Sequence, residues 1–352
     1  MRIPAANHLP ALRRPTPAAL LALAVGLSGC TMPNGAQRQP RASQPANQSS
    51  NEPATLPASN AGIDLVKDAE KLKSEGRLDE ALMQLEKAVA ENPRLTIAYI
   101  TAGDIHREAG DYISAEEQYG KAAKVEPGNF DAQYLHGLAL QVLNRIGDAV
   151  RAYLRALAIR PDDFNANLNL GTAYLQLGEP AQGLPYAQRA IALKSDDGAA
   201  RSNLGSIYAA LGRYDEAIIE FQQAAEVTQL TPPLLLNLAD ALGRVGRYPE
   251  MAATLKQVIA LEPTPVAWER LGSADFRQKQ YDLAIQSFRK SLEIDPNHYP
   301  ALNGVGVCLL NQYLWTGGKD RSLKDEALRS LRRSLQIESR QPKILELVSR
   351  YS

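Results

Sequence analysis

The chain has 352 residues, with 39 Lys and Arg against 39 Asp and Glu and a formal net charge of zero. That balance argues against a nucleic-acid binder, which carries a basic excess, and 45% hydrophobic residues exclude a chain without a packed core. Two cysteines cannot build a disulfide framework, and four histidines leave little for a metal cluster.

Residues 1–30 hold Arg2, Arg13 and Arg14, no acid, and then the apolar run AALLALAVGL. The run is shorter than the roughly 20 residues that a membrane-spanning helix needs. A basic start, a short apolar stretch and small residues before a break describe an export signal. The break is Leu27-Ser28-Gly29-Cys30, which resembles the lipobox of bacterial lipoproteins. The resemblance implies a signal peptide over residues 1–29 and a lipidated Cys30 as the first residue of the mature chain. Thr31 stands where an Asp resembles an inner-membrane retention signal. The expected location is therefore the cell envelope, on the outer membrane and facing the periplasm. Without the signal the chain keeps 36 basic and 39 acidic residues, so attachment would rest on the acyl chains rather than on a polybasic segment. Residues 30–61 read as a disordered tether, because Pro33, Pro40, Pro45, Pro53 and Pro57 forbid a regular helix. A flexible coil of that length reaches about 30 Å.

From residue 62 the chain becomes self-similar. Pro93, Pro127 and Pro161 are 34 residues apart, as are Gly103, Gly137, Gly171 and Gly205. Ala81, Ala115, Ala149 and Ala217 form a third column, and Tyr119, Tyr153 and Phe221 a fourth. This coupled pattern resembles the tetratricopeptide repeat. The resemblance implies an all-α fold, a right-handed superhelix of antiparallel helix pairs. It places Gly76, Gly110, Gly178, Gly212 and Gly246, with Asn144 in the third repeat, where each first helix stops. Laid along the chain, the period predicts eight repeats at 62–95, 96–129, 130–163, 164–197, 198–231, 232–264, 265–298 and 299–341. Residues 342–352 read as a capping helix with Ile344, Leu345, Leu347 and Val348 turned inward.

Two repeats depart from the pattern. The fourth has Gly183 in the Ala column, Ala187 in the aromatic column and Pro185 inside its second helix. It reads either as a hinge or as a tolerated irregularity. The eighth carries nine extra residues between its helices, within the region 307–326. There Tyr313 and Trp315 stand beside Gly317-Gly318. The insertion is either a recognition loop or an extension of both helices with Trp315 on the cap.

No phosphate-binding loop, nucleophile elbow or metal-spaced set of ligands is present in the sequence. The chain therefore reads as a non-enzyme with no cofactor and no small-molecule substrate. His106, His136 and Cys308 read as packing residues. One polar column stands out: Asn169, Asn203 and Asn237 are 34 apart, passing to Arg270 in the seventh repeat. The resemblance implies that this column faces a concave groove, where asparagine ladders hold a peptide backbone; Asn is also a common family choice there. An amide offers donors and an acceptor to any peptide. The expected function is a lipid-anchored scaffold for other proteins or extended peptides. Narrower expectations are a pilotin-like assembly lipoprotein or a cell-wall hydrolase adaptor, and the rivals are a plain spacer or a repeat-based enzyme.

Overall fold

The computed structural model describes residues 62–352, so the signal segment, Cys30 and the tether lie outside the described residues. Among the described residues there are seventeen α-helices and no strand. The first eight are α1 (Ile63–Ser74), α2 (Leu78–Glu91), α3 (Thr96–Glu108), α4 (Tyr112–Val125), α5 (Phe130–Val142), α6 (Ile146–Ile159), α7 (Phe164–Gln176) and α8 (Pro180–Leu193). Next come α9 (Gly198–Ala210), α10 (Tyr214–Val227), α11 (Pro232–Arg244), α12 (Tyr248–Leu261), α13 (Pro265–Arg277) and α14 (Tyr281–Ile294). The array closes with α15 (Tyr299–Trp315), α16 (Arg321–Ile337) and α17 (Pro342–Tyr351).

Local chemistry sets both ends of these helices. Asn129, Asp163 and Asp197 precede α5, α7 and α9, and each side chain accepts a hydrogen bond from a backbone N–H in the first turn. At the turn inside each pair the chain needs a left-handed residue. Gly110 and Gly212 supply it with φ of 81° and 75°, Asn144 with 59° and Lys279 with 64°. Lysine carries a steric cost there that glycine escapes. Lys279→Gly is therefore expected to stabilise the array by about 1 kcal/mol. Urea unfolding followed by circular dichroism checks it, and an unchanged midpoint would mean the turn is unstrained.

Each odd-numbered helix up to α15 packs antiparallel on the next, and each pair packs on its neighbour. First helices also touch first helices of adjacent pairs, α3 on α5, α5 on α7 and α7 on α9, whereas no comparable contact joins successive second helices. The first helices are thus crowded together on the inner side of a curved solenoid. The small column faces the aromatic column of the second helix. A Cβ placed on Gly103 would lie 2.5 Å from the Tyr119 ring, and one on Gly205 would lie 2.8 Å from the Phe221 ring. The aromatic of the second helix therefore lies directly on the backbone of the first.

The fourth pair shows what happens when that ring is missing. With Ala187 in the ring's place, the nearest neighbours of a Cβ on Gly171 are the backbone N and Cβ of Ala187, at 3.3 and 3.4 Å. The aromatic has moved one residue, to Tyr186, which stacks on Tyr174 at 5.9 Å. Helix α8 runs unbroken through Pro185.

Buried polar side chains tie successive pairs together. Gln133 Nε2 donates to the carbonyls of Ala123 and Pro127, both at 3.2 Å. Asn167 Nδ2 donates to those of Pro161 and Asp163, at 2.9 and 2.8 Å. At Ala123, Pro127 and Pro161 they reach carbonyls that the helix ends and connections leave open, whereas the Asp163 carbonyl also accepts the Asn167 backbone N–H at 3.1 Å.

The C-terminal end corrects two expectations. On α17 the residues packed against the core are Ile344, Leu347, Val348 and Tyr351, spaced by three and four; Leu345 is exposed. The insertion lengthens α15 and α16 to 17 residues each. Trp315, however, sits against Tyr281 of the preceding pair, edge to face at 5.9 Å, instead of on the cap.

Candidate functional site

The polar column lies on the inner seam between successive first helices. Asn169 of α7 donates from Nδ2 to the Tyr134 hydroxyl of α5 at 3.0 Å. Asn203 of α9 donates in the same way to Thr172 Oγ1 of α7. Arg270 of α13 makes an ion pair with Asp240 of α11 at 2.9 Å. Asn237 is half-buried in α11. The four residues therefore form one ascending row, but at three of them a side-chain group already bonds to the neighbouring repeat. Each bonded asparagine uses one of the two hydrogens on its amide nitrogen there, leaving the other for a ligand. Asn203 Oδ1 is buried without a hydrogen-bond partner.

The partners Tyr134, Thr172 and Asp240 were not singled out from the sequence. The signal that would have found two of them is a polar residue three positions after each member of the column. Asn169 precedes Thr172, Asn203 precedes Ser206, Asn237 precedes Asp240 and Arg270 precedes Ser273. On a helix that spacing puts both side chains on one face. The curvature then brings the second member of one repeat to the first member of the next.

Charge is unevenly spread along this seam. From α5 to α9 the row and its partners are amides, hydroxyls and a phenol. Burial is the main cause pushing the Tyr134 hydroxyl up to about 12, so it stays a neutral donor and acceptor. Toward α13 the seam becomes ionic. Burial raises the Asp240 carboxyl, while Arg270 and then Arg244 oppose the rise. Burial likewise raises the Glu269 carboxyl, which accepts a 2.9 Å hydrogen bond from Ser273.

The other residues considered as ligands are engaged in packing or pairing. His136 Nε2 lies 3.0 Å from Glu116, and burial holds its imidazole below the usual range. His106 Nδ1 lies 3.6 Å from Asp111. Cys308 is buried, and burial pushes its thiol up to about 12. Among the described residues no group of three or more His, Cys, Asp or Glu is placed to hold a metal ion. No helix among them is long and apolar enough to cross a membrane.

With the geometry in view, three family models match the chain. One described as tetratricopeptide repeat covers residues 168–233 and 236–299. A second, described as TPR repeat, covers 142–178, and a further tetratricopeptide repeat model covers 97–129. The helix pairs that these models cover are tetratricopeptide repeats. No curated protein sequence matches the chain significantly. Among solved structures, a tetratricopeptide repeat protein from Parabacteroides merdae is 18% identical, with a TM-score of 0.50 over 71% of this chain and 100% of that one. The Cut9–Hcn1 hetero-tetramer of APC/C gives the same identity and TM-score over 85% of this chain and 57% of that one. Pseudomonas aeruginosa pilF is 19% identical, with a TM-score of 0.48 over 58% and 94%. At these identities the likeness is one of fold. Tetratricopeptide-repeat proteins bind other proteins or peptides and are generally non-enzymatic scaffolds.

Proposed function

We propose that this chain is a lipid-anchored scaffold whose inner seam holds an extended peptide or a segment of another protein. The observation that supports the seam is its chemistry between α5 and α11. It is a half-exposed row of neutral amides and hydroxyls on a curved wall of helices. Such a wall pairs with peptide N–H and C=O groups while asking little of the peptide's own side chains. Asn169, Asn203 and Asn237 supply the amides, and Arg270 with Asp240 closes the row on an ionic note. Binding of the chain to an array of extended peptides tests this. Binding that tolerates changes of sequence supports a scaffold, whereas no binding to any peptide would leave a spacer.

The anchor is proposed from Cys30 and its lipobox. A thiolate is the side chain most readily alkylated by a lipid donor, and acylation of the mature terminus adds the chains that stable attachment requires. Cys30→Ser is expected to abolish lipid incorporation and to leave the protein either uncleaved or released. Absence of labelled palmitate in the wild-type protein would overturn the anchor. Thr31 supports the narrower proposal of an outer-membrane assembly lipoprotein, either pilotin-like or an adaptor for a cell-wall hydrolase.

A further inference from the structure

The turn edge of the array changes character at its C-terminal end. In four earlier turns an arginine follows the left-handed residue and pairs with a carboxylate three residues on. These are Arg77 with Glu80, Arg145 with Asp148, Arg213 with Glu216 and Arg247 with Glu250. In the seventh repeat the same two places hold Gln280 and Leu283, so no ion pair forms. Leu283 is 49% exposed, as is Leu314 at the end of α15, and the next residue, Trp315, is 81% exposed.

Trp315 is the outer member of an aromatic row. Phe276 meets Tyr281 edge to face at 5.3 Å, and Tyr281 meets Trp315 edge to face at 5.9 Å. The chain places Arg277 and Lys279 at one end of the row and Lys319 and Arg321 at the other, all exposed. Among the described residues none of the four has an ion-pair partner. The acids closest to them in sequence are occupied: Asp275 accepts from Ser287 Oγ at 3.3 Å, Asp282 accepts from Gln312 at 2.7 Å, and Asp320 caps α16 through the Ser322 N–H at 3.0 Å. Lys279 stands at this edge with a left-handed φ of 64°.

We propose that this edge is a second binding surface, independent of the inner seam, for an acidic segment with apolar side chains from another protein. Four unpaired cations around an exposed apolar ledge are complementary to carboxylates flanking a leucine or an aromatic. Tryptophan, tyrosine and arginine dominate the energetics of protein interfaces, and a tryptophan already held by its neighbours loses little freedom on binding. A peptide can also thread its carboxylates past Asp282 and Asp320, whereas an anionic bilayer would press its headgroups onto both. The seam would then supply backbone pairing that tolerates sequence, and the edge would supply selection by charge.

The test uses the full chain and a fluorescein-labelled synthetic peptide that alternates glutamate with leucine. The sequence has two tryptophans, so Trp268→Phe leaves Trp315 as the sole reporter. Peptide anisotropy, measured on a chain with alanine at Asn169, Asn203 and Asn237 so that the inner seam is silenced, reads the same event without that substitution. Binding should shift Trp315 emission to shorter wavelength and weaken as salt rises. Trp315→Ala should weaken it about thirtyfold. Joint replacement of Arg277, Lys279, Lys319 and Arg321 by glutamine should weaken it on the order of tenfold and flatten the salt dependence. Alanine at Asn169, Asn203 and Asn237, which weakens capture at the inner seam, should leave the Trp315 emission shift in place. Equal binding of a peptide with glutamine in place of glutamate, or no binding at all, would overturn the proposal. Binding to phosphatidylglycerol vesicles in preference to the peptide, lost in Trp315→Ala, would replace it with a membrane contact.

Discussion

A chain carrying alanine at Asn169, Asn203 and Asn237 together should bind an extended peptide on the order of a hundredfold more weakly than the wild type. Each side-chain hydrogen bond contributes about 0.5–1.5 kcal/mol net, so a single replacement weakens binding only several-fold. Three independent losses multiply. Because the amides carry no charge, the loss should be nearly the same at low and high salt. It should also be similar for peptides of different sequence. The structure adds a cost that the column alone does not reveal. Asn169 bonds to Tyr134 and Asn203 to Thr172, so the same substitutions loosen the contact between neighbouring first helices. Circular dichroism and urea unfolding of each single mutant separate the two effects. A folded triple mutant with wild-type affinity would show that the seam is structural and that recognition lies elsewhere, at the Trp315 edge.

The second large effect concerns packing. Gly205→Leu is expected to destabilise the array by about 3 kcal/mol, at the upper end of overpacking costs. Even the first added carbon would meet the Phe221 ring at 2.8 Å, and that ring is 1% exposed, so it has nowhere to go. Gly171→Ala, in the same column, should cost far less. A Cβ there would meet the backbone N and Cβ of Ala187 at 3.3 and 3.4 Å and Asn203 Oδ1 at 3.5 Å, a tight fit that the gain of about 0.5–1 kcal/mol of alanine over glycine inside a helix offsets in part. Thermal and urea unfolding of both variants checks the pair. Equal destabilisation by the two would mean that the column is held small by something other than the facing ring. Each repeat contacts chiefly its neighbours, so the losses should remain local and unfolding need not be two-state.

The fold class was legible in the sequence because a solenoid is built from local rules. The residues that stop a helix, cap the next and let a ring lie on a backbone recur every 34 positions, each acting within one or two repeats. Gly110, Asn144 and Asn129 act within a few residues of where they stand, so their roles follow from their own chemistry. Lys279 was missed because nothing in a lysine announces a left-handed backbone. It is held there by the helices on either side.

The proposed binding surfaces are a different matter. The sequence by itself determined that Asn169, Asn203 and Asn237 share one helical face, since that follows from a constant period. Only the tertiary structure decided that the row bonds across to Tyr134, Thr172 and Asp240, because those contacts depend on how sharply the array curves. It likewise decided that Leu345 is exposed while Tyr351 is packed, and that Trp315 leaves the cap for Tyr281. The insertion sets the lengths of α15 and α16, but the ring it carries rests on the preceding repeat. The physical reason is the same in each case. Periodicity assigns a residue to a face, and the packing angle between neighbouring pairs assigns that face its partner.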